Sequence, residues 1–586
     1  MFSETRQCQN CKTDFVIEPE DFHFYEKIKV PAPTFCPECR MIRRFVFRNE
    51  HILFRRKESV TGKDIFSTYP AETPFPVYEN EYWWSDQLDP FIYGREYDFS
   101  RPFFEQVKEL YHAVPWQSRN TANVINSEYA NNLANAKNCY LCFNLDFAED
   151  SAYLNDAYRN KNCFDITDSL GGEFNYDSIA VEKCYRTFFS YSCNESRTVW
   201  FSRDCTNCSD CFGCTNLRNK QYYIFNRPYR KEAYIEELKK FNLGSYAAHV
   251  SLAKRVKNIW MVAPYKFMLG WHNVAVTGDW IANSKNVKDS FSVVGGENVR
   301  YAQLAPAGNT KDTYDYTIWG DNAEQVYEAM ETGWNARQVK FSINCWPAVE
   351  EIEYSINCHS SSYLFGCVGL QKKSYCVFNK QYSKEEYFAL HEKIIRHMSD
   401  MPYSDAMGRI YRYGEFFPPE FSPFAYNETI AQDYFPLTKE AAIAKGYTWR
   451  DPEVREYQTT IDATDLPDHI RDVPASILKE TIRCLSCAKA YRIIQMELDF
   501  LRQMSLPLPR LCPDCRFFER IKHRNKPRFY DRQCQCTGKK SENNMYENTD
   551  MHFHGSDHCP GQFQTSYAPD RPEIVYCEQC YNVEVT

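Results

Sequence analysis

The chain has 586 residues, which exceeds one compact domain, and its 69 lysines and arginines are outnumbered by 78 aspartates and glutamates. This balance excludes a globally basic nucleic-acid coat. The start of the chain has no leader-like apolar core, and no apolar run is long enough for a membrane span, so we expect a cytoplasmic protein. In a reducing cytoplasm, the 26 cysteines are expected to bind metal rather than form disulfides.

The first module, residues 1–65, contains two C-x2-C pairs. Two thiolates on such a tight turn can occupy two corners of a metal tetrahedron, and a second pair can occupy the other two. The module therefore predicts a zinc ribbon with a closed, structural zinc site. Its predicted ligands are Cys8, Cys11, Cys36 and Cys39.

The middle of the chain follows an aromatic-rich linker and helix predicted for residues 66–120. From residue 121 to residue 400, short β-prone runs recur every 10–13 residues and are broken by Asn, Asp and Gly. This rhythm predicts a mainly β fold with a β-solenoid-like repeat body built from half-coils of 12 or 13 residues. An antiparallel Greek-key sandwich would give strands at a similar spacing and remains an alternative.

This body is itself duplicated, since residues 212–234 match residues 365–387 at an offset of 153. Each copy leads into a predicted helix, and Ser383 and Glu386 form a capping box before the second helix. The sequence thus predicts two β-repeat lobes, each with a closing helix, at residues 121–245 and 246–400.

A Pro-rich irregular wrap or linker is predicted for residues 401–480, and the second ribbon module follows at residues 481–540. This module repeats the first at a displacement of 476 positions. Its predicted zinc ligands are Cys484, Cys487, Cys512 and Cys515. Because a solenoid exposes unpaired strand edges at its ends, we expect the two ribbons to cover them.

The C-terminal segment, residues 541–586, predicts a third zinc site. Cys534 and Cys536 have no counterpart in the first module, where Glu58 and Val60 stand instead. The favoured set of ligands is Cys534, Cys536, Cys577 and Cys580, with the last two on a β-hairpin. An alternative set uses His554, His558 or Cys559.

Four cysteines in the first lobe are separated by two residues each: Cys205, Cys208, Cys211 and Cys214. The spacing is similar to that of iron–sulfur ligands, so a metal or iron–sulfur cluster is one interpretation. The other interpretation is that they are small core residues.

Basic residues with interleaved aromatic rings follow the last cysteines of both ribbons. Cations beside stackable rings favour single-stranded nucleic acid, which makes RNA, DNA or a nucleoprotein the predicted partner. The alternative is that these cations stabilise the negative four-thiolate zinc sites. The predicted phosphate contacts are Arg40, Arg43, Arg44, Arg516, Arg520 and Arg524.

The stretch CQNCKTDFVIEPEDFHFYEKIKVPAPTFCPECR resembles a short bacterial zinc-ribbon family that pairs C-x2-C with C-P-x-C-R. The resemblance covers about a tenth of the chain at each end and implies structural zinc. The C-terminal copy departs from it at Leu501, which stands where the first copy has Tyr25. The whole chain is similar to zinc-binding proteins of candidate-phyla bacteria, some of them labelled as CoA-transferases of the CaiB/BaiF type. No residue constellation in this chain supports that label.

These observations predict a zinc-binding, non-enzymatic scaffold or binding protein with about three structural Zn²⁺ ions. One alternative is an enzyme that acts on a carbohydrate or small molecule in a solenoid groove, with Asp165, Asp168 and Asp177 as candidate acids. A second alternative is a redox protein with an iron–sulfur cluster. The sequence has no GxxxxGK[ST], GxSxG or HExxH motif to favour nucleotide or hydrolase chemistry.

Overall fold

The computed structural model describes residues 2–306, 308–321, 323–451 and 457–585. These residues form a mostly β protein with shorter helical segments, which confirms the predicted mainly β class. The chain divides into two compact units, and each unit joins one terminal cysteine module to one β-rich lobe. The predicted segment boundaries remain predictions. Unit 1 comprises Met1–Arg119, Met268–Asp451 and Lys526–Phe529, and unit 2 comprises Asn120–Phe267, Pro452–Asn525 and Tyr530–Thr586.

The lobe of unit 2 is built from two sheets in which successive strands pair in parallel. The strands of the first sheet are Thr121–Ile125, Ala130–Tyr140, Cys142–Asp146, Glu149–Lys161, Phe164–Glu173, Tyr176–Glu182 and Tyr191–Asn194. Those of the second are Arg197–Trp200, Ser209–Phe212, Gln221–Ile224 and the antiparallel Arg227–Pro228.

The lobe of unit 1 has the same parallel character in three sheets. The first contains Gly270–Trp271, Gly278–Ala282, Ser290–Val294, Gln303–Ala305, Tyr316–Trp319, Ala329–Thr332 and Ile343–Cys345. The second contains Lys285–Lys288, Glu297–Arg300 and Lys311–Tyr314. The third contains Arg337–Lys340, Glu350–Glu353, Ser362–Phe365, Ser374–Val377 and the antiparallel Lys380–Gln381.

Strand register shows the period of the repeat. Phe164 lies opposite Tyr176, which is twelve positions later, and Phe188 lies opposite Trp200 at the same spacing. After 12 residues the chain therefore forms the next strand of the same sheet. The segment that the sequence predicts as a half-coil is thus one complete repeat. Parallel pairing also excludes the antiparallel Greek-key sandwich.

Backbone turns set the direction of the side chains in the lobe of unit 2. From Asn132 to Phe225, every third residue has a positive φ. Asn and Asp adopt this left-handed conformation most readily among residues with a side chain, which explains their frequency here. Neighbouring repeats are linked by side-chain ladders, such as the Asn138 amide donating to Asp150 at 2.7 Å. The residue after each turn points inward, as the buried Cys139, Cys163 and Ile166 do, so the core has a period of three residues.

Helices lie outside these lobes. In unit 1 they are Pro19–Lys27, Pro37–Phe45, Asn80–Trp83, Phe103–Ala113, Lys384–Asp400, Ile430–Tyr434 and Lys439–Ala444, with short 3₁₀ turns at Pro90–Tyr93, Pro419–Phe421 and Tyr426–Glu428. In unit 2 they are Lys231–Lys239, Tyr246–Val262, Gln495–Met504, Pro513–Ile521 and Glu578–Glu584, with 3₁₀ turns at Ala463–Asp465, Ile470–Asp472 and Ala475–Lys479. Across the described ranges, no helix combines the length and apolar character needed to cross a membrane.

Both predicted closing helices are present, since Lys231–Lys239 and Lys384–Asp400 each follow the last strand pair of a lobe. The predicted capping box is confirmed: Ser383 Oγ accepts from the backbone N–H of Glu386 at 3.2 Å, and the Glu386 carboxylate accepts from the Ser383 N–H at 2.9 Å.

The remaining strands are short and pair locally. In unit 1 they are Glu4–Gln7, Asp14–Ile17, Phe54–Lys57, Asp64–Ser67, Val77–Tyr78, Trp116–Gln117, Tyr403–Ser404 and Ile410–Tyr411. In unit 2 they are Tyr265–Lys266, Ile461–Asp462, Ile482–Arg483, Ala490–Tyr491, Tyr530–Gln533, Gln562–Thr565 and Val575–Tyr576.

Candidate metal centres

The N-terminal module gathers its four cysteines at the junction of a hairpin and a helix. Cys8 and Cys11 lie in the turn between the antiparallel strands Glu4–Gln7 and Asp14–Ile17. Cys36 is the N-cap of helix Pro37–Phe45, which places Cys39 in the first helical turn. The four sulfur atoms all lie within 4.8 Å of one another, so the structure brings together the ligand set that the sequence predicts.

The C-terminal ribbon is built in the same way. Cys484 and Cys487 lie in the turn after strand Ile482–Arg483, and Cys512 is the N-cap of helix Pro513–Ile521. With Cys515 they form a second group of four sulfur atoms within 4.8 Å of one another.

Distances between the sulfur atoms distinguish metal binding from disulfide formation. The Cys11–Cys36 and Cys487–Cys512 sulfur pairs are each separated by 3.7 Å. A zinc tetrahedron with Zn–S bonds of about 2.3 Å has an S–S edge of about 3.8 Å, whereas a disulfide bond is about 2.0 Å long. All 26 cysteines are free of disulfides. These separations are therefore compatible with a tetrahedral metal site and too long for a disulfide bond.

Backbone N–H groups donate to the sulfur atoms of both ribbons. The N–H of Cys36 donates to Cys8 Sγ at 3.3 Å, and the N–H of Cys512 donates to Cys484 Sγ at 3.2 Å. Burial opposes ionisation of Cys484, but N–H groups of Cys487 and Cys512 outweigh it and lower the pKa of this thiol to about 7. These bonds stabilise thiolates, the form of cysteine that binds metal.

The C-terminal segment differs from its prediction. Three of the four predicted ligands of the third site, Cys534, Cys577 and Cys580, lie together, but the fourth sulfur is that of Cys559. Cys559 Sγ lies 3.8 Å from Cys577 Sγ and 3.6 Å from Cys580 Sγ, again the edge of a zinc tetrahedron. Cys536 does not join this set.

Backbone reach explains why Cys536 is displaced. An extended C-x-C pair spaces its two residues by about 6.6 Å, since a strand rises about 3.3 Å per residue. Cys577 and Cys580 also do not lie on the predicted hairpin: Cys577 is the N-cap of helix Glu578–Glu584. A helix N-terminus brings the sulfur atoms of a C-x2-C pair together, and an extended pair does not.

Cys536 belongs to a fourth group, together with His552, His554 and Cys580. His552 was missed by the sequence reasoning, although the H-x-H spacing and the leftover Cys536 could have indicated it. His558, another residue of the alternative set, lies outside both groups and is exposed.

The four cysteines Cys205, Cys208, Cys211 and Cys214 are buried in the lobe of unit 2. Within the described part of the chain, they do not form one of the metal-binding groups. Their thiols donate to backbone carbonyls instead, as Cys208 Sγ does to the carbonyl of Thr206 at 3.4 Å. Their spacing of three is the period of inward-pointing positions, which supports the core interpretation, and the iron–sulfur interpretation stays an untested prediction.

Replacing Cys208 by alanine is expected to lower the free energy of unfolding by about 1 kcal/mol and to leave the metal content unchanged, because only core contacts are lost. Denaturant unfolding and elemental analysis of the purified variant test this. Iron present in the wild-type protein and absent from the variant would contradict it.

The six arginines predicted to contact phosphates lie inside the two units. In unit 1, Arg40 and Arg44 both pair with the carboxylate of Asp315, at 2.9 and 3.2 Å. Arg43 pairs with Glu328 and Glu415. Arg40, Arg44 and Asp315 are each at most 1% exposed.

Unit 2 contains the same arrangement. Arg516 and Arg520 pair with Asp165 at 2.8 and 3.0 Å. The Arg520 Nε also donates to Thr167 at 3.2 Å, just as Arg44 Nε donates to Thr317 at 2.8 Å in unit 1.

Further pairs extend this cluster. Arg520 also pairs with Asp177 at 3.2 Å, and Arg524 pairs with Asp156 at 2.9 Å and with Asp168. Burial raises the pKa of Asp165, and the neighbouring guanidinium groups of Arg516 and Arg520 oppose that rise.

These contacts bear on three expectations. The arginines are occupied by carboxylates rather than exposed for phosphates, although a nucleic-acid partner as such stays an untested prediction. The acids proposed for a catalytic cleft, Asp165, Asp168 and Asp177, are ion-paired. Each ribbon helix packs against a strand within its lobe, as Pro513–Ile521 does on strands Phe164–Glu173 and Tyr176–Glu182, whereas the ribbons were expected at the ends of the lobes.

No protein-family model matches the chain, and no curated protein matches it. Among solved structures, the chain is similar to a Desulfovibrio desulfuricans G20 protein described as a proposed acetyltransferase. The identity is 11% and the TM-score is 0.10, over 51% of this chain and 72% of the other. A likeness at this level carries no argument about function. The cysteine clusters are compatible with zinc-ribbon motifs.

Proposed function

We propose that the protein is a zinc-binding scaffold or binding protein without catalytic activity. Two repeat lobes form its body, and each is held by a zinc ribbon. One observation carries this proposal. Within each unit, a short helix begins at two of the metal ligands, and its arginines pair with buried carboxylates of the lobe.

Closed coordination supports a structural role. Each candidate ribbon site has four protein ligands, and structural zinc sites use four protein ligands, whereas catalytic sites keep a position open for water or substrate. Cysteine thiolates in tetrahedral sets favour zinc over magnesium, calcium or manganese.

The ribbon helix carries the connection. In unit 2, Cys512 and Cys515 begin helix Pro513–Ile521, and Arg516 and Arg520 follow at the spacing of one helical turn. Both guanidinium groups reach Asp165. Metal binding would therefore fix the helix that neutralises buried charge on the lobe, so removal of the metal would weaken the attachment of ribbon and lobe.

The lobes themselves are proposed to be β-solenoids. Supporting this are the parallel pairing at offsets of about 12 residues and the left-handed turn at every third residue. A stack of this kind presents long regular faces, which suits a scaffold that binds partners along its length.

Cobalt substitution tests the absence of an open metal position. We expect Co²⁺-loaded protein to show the intense visible bands of tetrahedral thiolate coordination, unchanged by excess azide, because no coordination position is free. Visible absorption spectra with and without azide provide the measurement. Elemental analysis of protein purified without added metal should return zinc.

Bands that shift with azide would show an open site and would overturn the structural assignment. Protein that is folded and free of metal would overturn the proposed function as a whole.

A further inference from the structure

Three members of the fourth group of ligands, Cys536, His552 and His554, are not part of the third four-thiolate site, and together with Cys580 they have the spacing of a metal centre. Cys536 Sγ lies 3.6 Å from His552 Nδ1, and Cys580 Sγ lies 3.4 Å from His554 Nε2. With Zn–S bonds of about 2.3 Å and Zn–N bonds of about 2.0 Å, the S–N edge of a tetrahedron is about 3.5 Å. Both measured edges match this value.

The second nitrogen of each histidine is held by an oxygen acceptor. His552 Nε2 lies 2.9 Å from the Glu584 carboxylate, and His554 Nδ1 lies 2.7 Å from the carbonyl of Asp557. Metal-bound histidines almost always have such an outer partner, which fixes the tautomer and the ring orientation. Because one nitrogen of each ring donates its proton to an oxygen, the other nitrogen, which faces a cysteine sulfur, can bind a cation.

Glu584 is held in place in turn. Its carboxylate accepts from the Tyr546 hydroxyl at 2.8 Å and from the Thr549 N–H at 2.9 Å. His552 and Glu584 are both buried. A buried carboxylate–histidine pair that points at a cysteine is a preorganised support for a metal ligand.

The Cys536 sulfur accepts a hydrogen bond from the Asn548 amide at 3.2 Å. An accepting sulfur beside an imidazole nitrogen has the character of a thiolate ligand.

Cys580 lies in both C-terminal groups and is fully buried. We propose that the C-terminal segment binds two divalent metal ions bridged by the Cys580 thiolate. One ion is held by Cys534, Cys559, Cys577 and Cys580, and the other by Cys536, His552, His554 and Cys580. The two tetrahedra share one corner.

Charge balance favours the pair. Two divalent ions with five thiolates and two neutral imidazoles leave one negative charge in excess, whereas one ion with four thiolates leaves two. The second ion also gives the buried Cys536 sulfur a cation to bind. Two ions that share one thiolate therefore leave a smaller net charge in this buried set of ligands than one ion does.

The test uses the full-length chain loaded with Co²⁺, with metal content measured by elemental analysis. Wild-type protein is expected to hold four ions per chain, two in the ribbons and two in the C-terminal segment, following the four ligand groups. His554→Ala should hold one ion fewer, and Cys580→Ser two fewer. The matched control, His558→Ala, alters a neighbouring exposed histidine outside both groups and should hold the wild-type number.

Electron paramagnetic resonance of the wild-type cobalt protein tests the bridge without any variant. Two high-spin Co²⁺ ions that share a thiolate couple antiferromagnetically, so at low temperature only the ribbon ions should contribute a full signal. His554→Ala should raise the signal per bound cobalt, because it leaves the remaining C-terminal ion uncoupled.

Three ions per chain in the wild-type protein, with the same number in His554→Ala, would overturn the proposal of a second C-terminal ion. Four ions with uncoupled signals would overturn the bridge. Either result leaves the ribbon sites filled and the proposed scaffold function intact, whereas empty ribbon sites would overturn that function instead.

Discussion

Replacing Cys512 by serine is expected to cause a large loss of stability in unit 2. Serine removes one of four thiolates from the second ribbon, and a structural zinc site can contribute about 10 kcal/mol to folding. Cys512 is also the N-cap of helix Pro513–Ile521, whose arginines pair with the lobe. We expect one metal ion fewer per chain and a fall in the midpoint of denaturant unfolding, measured by elemental analysis and circular dichroism.

Ser486→Ala is the matched control, because Ser486 lies in the same ribbon between Cys484 and Cys487 and its side chain is exposed. This variant should retain the metal and unfold with the wild-type midpoint. Equal metal content and equal midpoints for the two variants would contradict a structural role for the second ribbon.

Replacing Asp315 by asparagine is expected to destabilise unit 1 by about 3 kcal/mol, because it leaves two buried guanidinium groups short of a counter-charge. Arg40 and Arg44 both pair with this carboxylate. Asparagine keeps the size of the side chain and tolerates the φ of 48° at this turn, so backbone strain is not added. The free energy of unfolding by chemical denaturant is the measurement.

Asp312→Asn supplies the control for this charge effect. Asp312 also lies at a turn of positive φ, at 46°, but it is partly exposed and accepts from the Asn298 amide at 3.0 Å. We expect a change below about 0.5 kcal/mol there.

The double variant Arg44→Met with Asp315→Asn should recover part of the loss, since one uncompensated charge is removed. If Asp315→Asn and Asp312→Asn were equally stable, the buried ion cluster would not hold the ribbon on its lobe.

Local spacing made the ribbon ligands readable from the sequence. A C-x2-C pair is closed by one turn or by the first turn of a helix, so the chain itself brings the two sulfur atoms together. The same logic did not apply to Cys536, because an extended C-x-C pair separates its sulfur atoms and each must find partners elsewhere. Its partner His552 is 16 residues away, which no local rule predicts.

The arginines show a different limit. A sequence shows that Arg44 is basic and lies near aromatic residues, but Asp315 is 271 residues away. An exposed arginine and an arginine buried against a carboxylate can have the same local sequence. The sequence therefore could not separate contact with phosphates from a structural role of these arginines. The run from Cys205 to Cys214 was ambiguous for a related reason, since a period of three suits both a ligand set and the inward positions of this repeat.

The sequence by itself determined the two ribbon ligand sets, the duplication of the lobes, the mainly β class and the capped helix after Ser383, because each depends on residues close together in the chain. Tertiary structure alone decided which lobe each ribbon contacts, that the arginines are buried in ion pairs, and how the C-terminal cysteines and histidines divide into two groups. Those outcomes depend on charge neutralisation and on metal-ligand distances between residues far apart in the chain. Only the fold brings such residues within a few ångströms of one another.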